Sequence, residues 1–221
     1  MEKKRALLLL GGTWHDFDGF AQSLGACLGS HGWEVEPGYD LERLTRLERE
    51  SCDLLITYTC FSLPAEGVPV TGSEKMEDDQ IDALTAWVRA GGAYLAAHAS
   101  TSLGNSSPAL GRLIGGVFIK HPPMFSFPVY PVYGAHPITA GISAFTVFDE
   151  MYIERCEPGV DVHMATVHEG TVHPLAWSKS EGRGRVAHVA LGHSAEVWGL
   201  EPYQRLMVQA ADWAVAGRKG D

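Results

Sequence analysis

Basic residues are scarce in this chain: 17 Lys and Arg stand against 27 Asp and Glu, for a formal net charge of −10. Binding a nucleic-acid backbone calls for clustered Lys and Arg, so this balance argues against such a partner. Beyond that, the charge speaks only for solubility. Long apolar runs are missing as well, since no stretch approaches the roughly 20 residues that span a bilayer, and no membrane partner is expected. The opening MEKKRALLLL superficially looks like a secretion signal. Its apolar run covers only Ala6 to Leu10 before Gly11 and Gly12 end it, short of the roughly 7–15 residues of a signal core. The four cysteines, Cys27, Cys52, Cys60 and Cys156, have no paired spacing, which argues against a disulfide frame or a structural zinc site and points to a reducing cytoplasm. Equally missing are a G-x-S-x-G or G-x-C-x-G elbow, a P-loop and a G-x-G-x-x-G fingerprint.

What is present is a strand–helix alternation in a chain of 221 residues, 45% hydrophobic and 20% charged, best taken as one domain over 1–221. Arg5 to Leu10 reads as a buried strand. A helix follows, with Phe17, Phe20, Ala21, Leu24 and Leu28 on one face, Asp16 as N-cap and Gly32 as stop. Trp33 to Glu36 is a short strand, Leu41 to Arg49 a helical stretch, and Asp53 to Thr57 a strand running on to Tyr58-Thr59-Cys60. Past a loop at Pro64 to Ser73, Ile81, Leu84, Trp87 and Val88 mark another helix, with Glu77, Asp78 and Asp79 at its start and Gly91-Gly92 at its end. Ala93 to Ala97 is then a strand covered on both faces, and it ends on His98.

This pattern predicts an α/β fold with a doubly wound, mostly parallel sheet and helices on both faces. Ala109 to Val117 has a helical pattern closed by Gly115-Gly116. The run from Lys120 to Pro137 is dense in proline, so it is expected to be neither regular helix nor central strand. Phe145–Phe148, Val162–Val167, Leu175–Ser178 and Val186–Leu191 are expected as added strands and hairpins of the C-terminal half. A last helix beginning near Pro202 carries Tyr203, Leu206, Met207, Ala210 and Trp213 on one face.

Histidine is the unusual residue type, with ten copies. His15, His98 and His193 each follow a strand, and strand C-termini in a doubly wound sheet converge on one edge. Three imidazoles there can serve as acid–base groups or as metal ligands, or each can simply cap a turn. Asp149-Glu150-Met151-Tyr152 follows the strand FTVF. If the strand continued, Glu150 and Tyr152 would share a face and Asp149 would take the other. A carboxylate beside a phenol suits proton transfer or hydroxyl recognition, while the plainer reading is a solvated strand end. His121-Pro122 and His136-Pro137 flank the proline-rich run, which reads as a binding loop or lid, with His136 more simply part of a turn. Cys60 reads as an ordinary loop thiol, because no base can be placed beside it.

Taken in order, GGTWHDF, WVRAGG, AYLAAH, GGVFIKHP, HPITAGI, FDEMYI and RVAHVALGHS resemble the ThuA-like (trehalose utilisation) family of the class I glutamine amidotransferase-like superfamily. The resemblance implies a flavodoxin-like sheet and a role in carbohydrate catabolism, often alongside sugar oxidoreductases that make 3-keto-glycosides. Amidotransferases of the superfamily carry a cysteine in the turn after the central strand. Here that turn is His98-Ala99-Ser100-Thr101, which disfavours thiolate hydrolysis of glutamine.

The leading expectation is an enzyme acting on a small-molecule carbohydrate, a sugar or keto-sugar derivative, through His98, His193 and Glu150. Trp14, His15, Asp16, His121, Tyr152 and Trp198 would contact the substrate, and self-association is left open. A variant places a divalent metal on His15, His98 and His193, or on two of them with Glu150. The rival class is a non-catalytic sugar-binding or regulatory protein.

Overall fold

In the computed structural model, which describes residues 3–133 and 135–217, the apolar run of the N-terminus forms strand β1 (Lys4–Gly12). Asp16 caps helix α1 (Phe17–Gly29) by accepting from the Gly19 N–H, as its position in the sequence suggests. β2 (Trp33–Gly38) follows, then a 3-10 segment over Leu41–Arg49 rather than a regular helix, with Arg46 off helical geometry. β3 (Leu54–Cys60), α2 (Asp78–Arg89) and β4 (Ala93–Ala97) complete the first half. Next come α3 (Pro108–Ile114), β5 (Gly116–Lys120), β6 (Phe125–Pro131), β7 (Phe145–Asp149) and β8 (Ile153–Cys156). The chain closes with β9 (Asp161–His168), β10 (Thr171–Glu181), β11 (Gly184–Val189), the short α4 (Ala195–Trp198) and α5 (Glu201–Ala216).

Nine strands form one sheet in the order β2-β1-β3-β4-β11-β10-β9-β6-β7. The first five are mutually parallel and the pairings from β11 onward are antiparallel. β1, β3 and β4 are buried along almost their whole length because both faces are covered. On one face Leu8, Leu10, Ile56 and Leu95 pack with Phe20, Leu24, Leu206 and Met207 of α1 and α5. On the other, Leu7, Leu9, Leu55 and Tyr94 pack with Leu44, Ile81, Leu84 and Leu110. Among the described residues no helix is long and apolar enough to cross a membrane.

Two expectations are corrected here. Gly115 ends α3 in the left-handed region (φ 91), so Val117 belongs to a strand and not to the helix. Part of the proline-rich run, Phe125–Pro131, is strand, and β6 lies inside the sheet despite Pro128 and Pro131. It manages this by changing partners along its length. Phe125 to Val129 pair with β7 on one side, and Tyr130 and Pro131 pair with β9 on the other. No residue has to serve two neighbours at once, so a missing N–H disrupts at most one ladder.

A second, two-stranded sheet, β5 with β8, packs against the large one. The buried Glu154 carboxylate pins it there: Thr101 Oγ1 donates to Glu154 Oε1 at 2.5 Å, and His188 Nε2 lies 3.5 Å from the same oxygen. Substituting Leu95→Ala, a fully buried side chain at the centre of β4, is expected to destabilise the protein by about 2–5 kcal/mol, seen as a lower urea midpoint at unchanged slope.

Candidate functional site

The chain runs from β1 to β2 on one side and returns to β3 on the other, so the strand order reverses between β1 and β3. In open α/β sheets the crevice beyond the strand C-termini at such a point is where ligands bind. Each neighbouring strand end delivers one polar group to it.

β1 ends on Gly12 (φ 109), where a Cβ would overlap the Cys60 carbonyl at the end of β3. That close approach, with Thr13 N–H donating to Cys60 O at 2.9 Å, throws the chain into a turn carrying Trp14 (φ 71) and His15. His15 Nδ1 lies 2.9 Å from Thr13 O. A carbonyl only accepts, so Nδ1 holds the hydrogen and Nε2 holds the lone pair. β4 is followed directly by His98, fully buried and in the left-handed region at φ 42. Its Nδ1 lies 2.6 Å from Ala190 O, and the same reasoning leaves Nε2 as a lone pair.

Beyond β11, Gly192 and His193 donate their backbone N–H groups to Asp149, at 2.8 and 3.1 Å, and Glu150 N–H donates to it at 2.9 Å. Asp149 is buried, and burial pushes its pKa up against these stabilising contacts and the nearby His98. It is a purely architectural carboxylate, and the residue types around it in sequence gave no sign of this.

Glu150 is the centre of the site. Its Oε2 lies 3.1 Å from His193 Nδ1 and 3.6 Å from His98 Nε2, and its Oε1 lies 3.6 Å from His121 Nε2. One ligating atom from each of His15, His98, His193 and Glu150 falls within 4.8 Å of every other. His15 Nε2, His98 Nε2 and His193 Nδ1 are buried without a hydrogen-bond partner among the described residues. Burial, and then His98, pull the His15 pKa down to about 3. For His193 burial also acts downward, but Glu150 and Asp149 outweigh it and the pKa is raised. For Glu150 burial acts upward, and the His193 and His98 rings reverse it, so the carboxylate is held well below its usual range.

Above this cluster opens a cavity of about 470 Å³ walled by Trp14, Cys60, Ser62, Phe118, His121 and Tyr152. Tyr152 stacks on His98 with ring centroids 4.4 Å apart, and His121 is partly exposed at the mouth with Nδ1 against Pro122 O at 2.9 Å. Trp14 is half exposed at the lip.

His15, His98 and His193 therefore do share one sheet edge, and Glu150, Tyr152, His121 and Trp14 meet them there. Glu150 and Tyr152 face the same cavity although β7 stops at Asp149. Two expected contacts do not join them. Asp16 spends its carboxylate on the α1 cap. Trp198 is buried against Phe20 and donates Nε1–H to Gly192 O at 2.7 Å, so it braces the turn carrying His193 and has no face on the cavity. His136 accepts from Ile138 N–H and stacks on His163, the turn role that its sequence suggests. Cys60, expected in a loop, ends β3 and forms part of the cavity wall. Ser62 and Phe118 also line the cavity and carry no signal in the sequence that sets them apart.

A family model described as ThuA, trehalose utilisation, matches residues 6–214. The fold is similar to that of a ThuA-like protein of Parabacteroides merdae, with a TM-score of 0.77 and 16% identity, covering 99% of this chain and 92% of that one. It is also similar to a ThuA-like protein of Bacteroides uniformis, with a TM-score of 0.71 and 18% identity over 96% of this chain and 91% of the other. The β-galactosidase of Rahnella sp. R3 contains the same fold in 31% of its chain, matching 98% of this one at a TM-score of 0.62 and 14% identity. No curated protein sequence matches the chain.

The opposed shifts of His193 and Glu150 have a consequence for stability. His193 is raised from 6.5, so its contribution is full below that pH and is lost as pH rises through the raised folded value. Glu150 is lowered from 4.5, so its contribution is full above that pH and is lost as pH falls through the lowered value. In protein freed of divalent ions, the thermal midpoint of wild type is expected to exceed that of E150Q most between pH 4.5 and 6.5 and to lose ground on the alkaline side. A wild-type advantage that grows steadily above pH 6.5 would contradict the pairing.

Proposed function

The chain belongs to the ThuA, or trehalose utilisation, family, and from that premise we propose that it is an enzyme transforming a sugar or 3-keto-glycoside derivative by acid–base chemistry. The observation that carries this reading is the convergence of His15, His98, His193 and Glu150 at the strand-reversal edge, with His15, His193 and Glu150 lining a cavity there and His98 buried behind them. Buried groups with oppositely displaced pKa values mark sites of proton transfer more often than sites of passive binding.

His193, with its proton favoured by Glu150, is the acid that meets a carbonyl or glycosidic oxygen. His98 offers an Nε2 lone pair to accept a proton, and Glu150 holds both rings in position. Trp14 presents a flat apolar face to the C–H side of a sugar ring, and His121 and Tyr152 at the opposite wall supply hydroxyl contacts. Cys60 takes no part. Its one polar side-chain contact of note is Thr13 Oγ1 at 4.0 Å, which does not activate a thiol.

A product assay on 3-keto-glycosides, run beside calorimetric binding, tests this. E150Q is expected to lower turnover by about 10²–10⁴-fold while changing sugar affinity only a few-fold. Sugar binding by the wild type without any turnover would instead support a binding or regulatory protein. C60S is expected to leave turnover nearly intact. A loss of about 10³-fold or more would replace the acid–base reading with covalent catalysis.

A further inference from the structure

We propose that His15, His98, His193 and Glu150 form a binding site for one divalent first-row transition-metal ion, with an open coordination position facing the cavity. Two of the rings are pre-set as ligands. The carbonyls of Thr13 and Ala190 fix the Nδ1–H tautomer of His15 and His98, so both Nε2 lone pairs are committed to the shared gap. A backbone carbonyl on the far nitrogen is the usual outer partner of a metal-bound imidazole. No donor among the described residues satisfies these nitrogens or His193 Nδ1, and all three are buried. Lone pairs and a carboxylate that face one another call for a positive charge between them. A single proton on His193 serves one pair, whereas a cation serves all four.

The spacing is close to what is needed. Four ligands at metal–nitrogen and metal–oxygen lengths of roughly 2.0–2.2 Å stand roughly 3.3–3.6 Å apart in a tetrahedron, so the open position facing the cavity would be a fifth one, taken up as the ion expands to five-coordination. The limit of 4.8 Å on the observed separations means that no pair has to close by more than about 1.2–1.5 Å, within reach of small side-chain rotations. Three imidazoles and one carboxylate suit zinc, manganese or cobalt, and not calcium or magnesium, which take oxygen ligands.

His15, His193 and Glu150 line the cavity, so the ion would polarise a carbonyl or hydroxyl oxygen of a sugar bound there. The rings would then be ligands. His121, outside the set and 3.6 Å from Glu150 Oε1, would be the imidazole left to exchange protons. This step rests on the catalytic reading above. The binding of the ion does not.

The test uses the full chain, dialysed against chelator and titrated with zinc chloride alone and with cobalt chloride alone at neutral to mildly alkaline pH. One equivalent of either metal is expected, with affinity falling as pH drops through roughly 6.5 and with cobalt giving the visible absorption of a four- or five-coordinate ion. Loss of an outer partner costs roughly 10–100-fold in affinity, so H193A and the near-isosteric E150Q should each cost at least about 100-fold. Circular dichroism and thermal midpoints would confirm that both variants fold. The proposal is overturned if no stoichiometric uptake occurs, or if both folded variants bind like wild type. Turnover that survives chelation, with no metal uptake, removes the ion and leaves the acid–base enzyme. Stoichiometric uptake with no turnover on any keto-sugar supports the ion and removes the enzyme.

Discussion

Everything in the cavity depends on one buried carboxylate accepting three backbone N–H groups. Asp149 ends β7, the far edge of the antiparallel half, yet its oxygens hold Gly192 and His193 beyond β11 in the parallel half. The ion is taken out of water at a cost that only charge-assisted hydrogen bonds offset, and the backbone donors supply them. The next residue along the chain is Glu150, so fixing Asp149 against the His193 turn also fixes where Glu150 meets the imidazoles. Trp198 and Tyr58, both bonded to Gly192 O, secure the same turn from below. Without that join the strand ends would still converge, but the carboxylate would not be among them.

Strain is concentrated at the same place. Of the described residues other than glycine, Trp14, His98 and Glu169 have positive φ; Trp14 lines the cavity, and His98 lies buried against Tyr152 of its wall. A left-handed residue with a side chain costs of order 1–3 kcal/mol and persists where its surroundings over-determine it. For His98 those surroundings are the Ala190 carbonyl, the Tyr152 ring and the neighbouring Ser100, whose hydroxyl donates to Thr57 O at 3.0 Å.

The parallel half was legible because its residues obey one rule at a time. Apolar runs such as Leu7 to Leu10 and Ala93 to Ala97 are covered on both faces, and glycines or an Asp cap mark where they stop. The convergence of His15, His98 and His193 follows from strand direction alone. What escaped was decided by long-range partners. Pro128 sits within the sheet because β6 changes neighbours partway along, a feature of topology that no local pattern encodes. Trp198 looks from sequence like any aromatic near a site, and only the position of Gly192 turns it into a brace. Asp149 and Glu150 are adjacent acids, and which is architectural and which faces the cavity depends on the β11 turn.

The two halves of the sheet have a further consequence for how the molecule comes into being. His15 and His98 follow strands in the first half of the chain, whereas Glu150 and His193 follow strands in the second half. Contacts between such distant segments close slowly, because the entropy of the intervening chain has to be given up before any of them is rewarded. The chemical centre therefore depends on contacts that only the full length of the chain can close. Capture of a ligand in the cavity would date the moment of completion more sharply than any measure of helix or strand content.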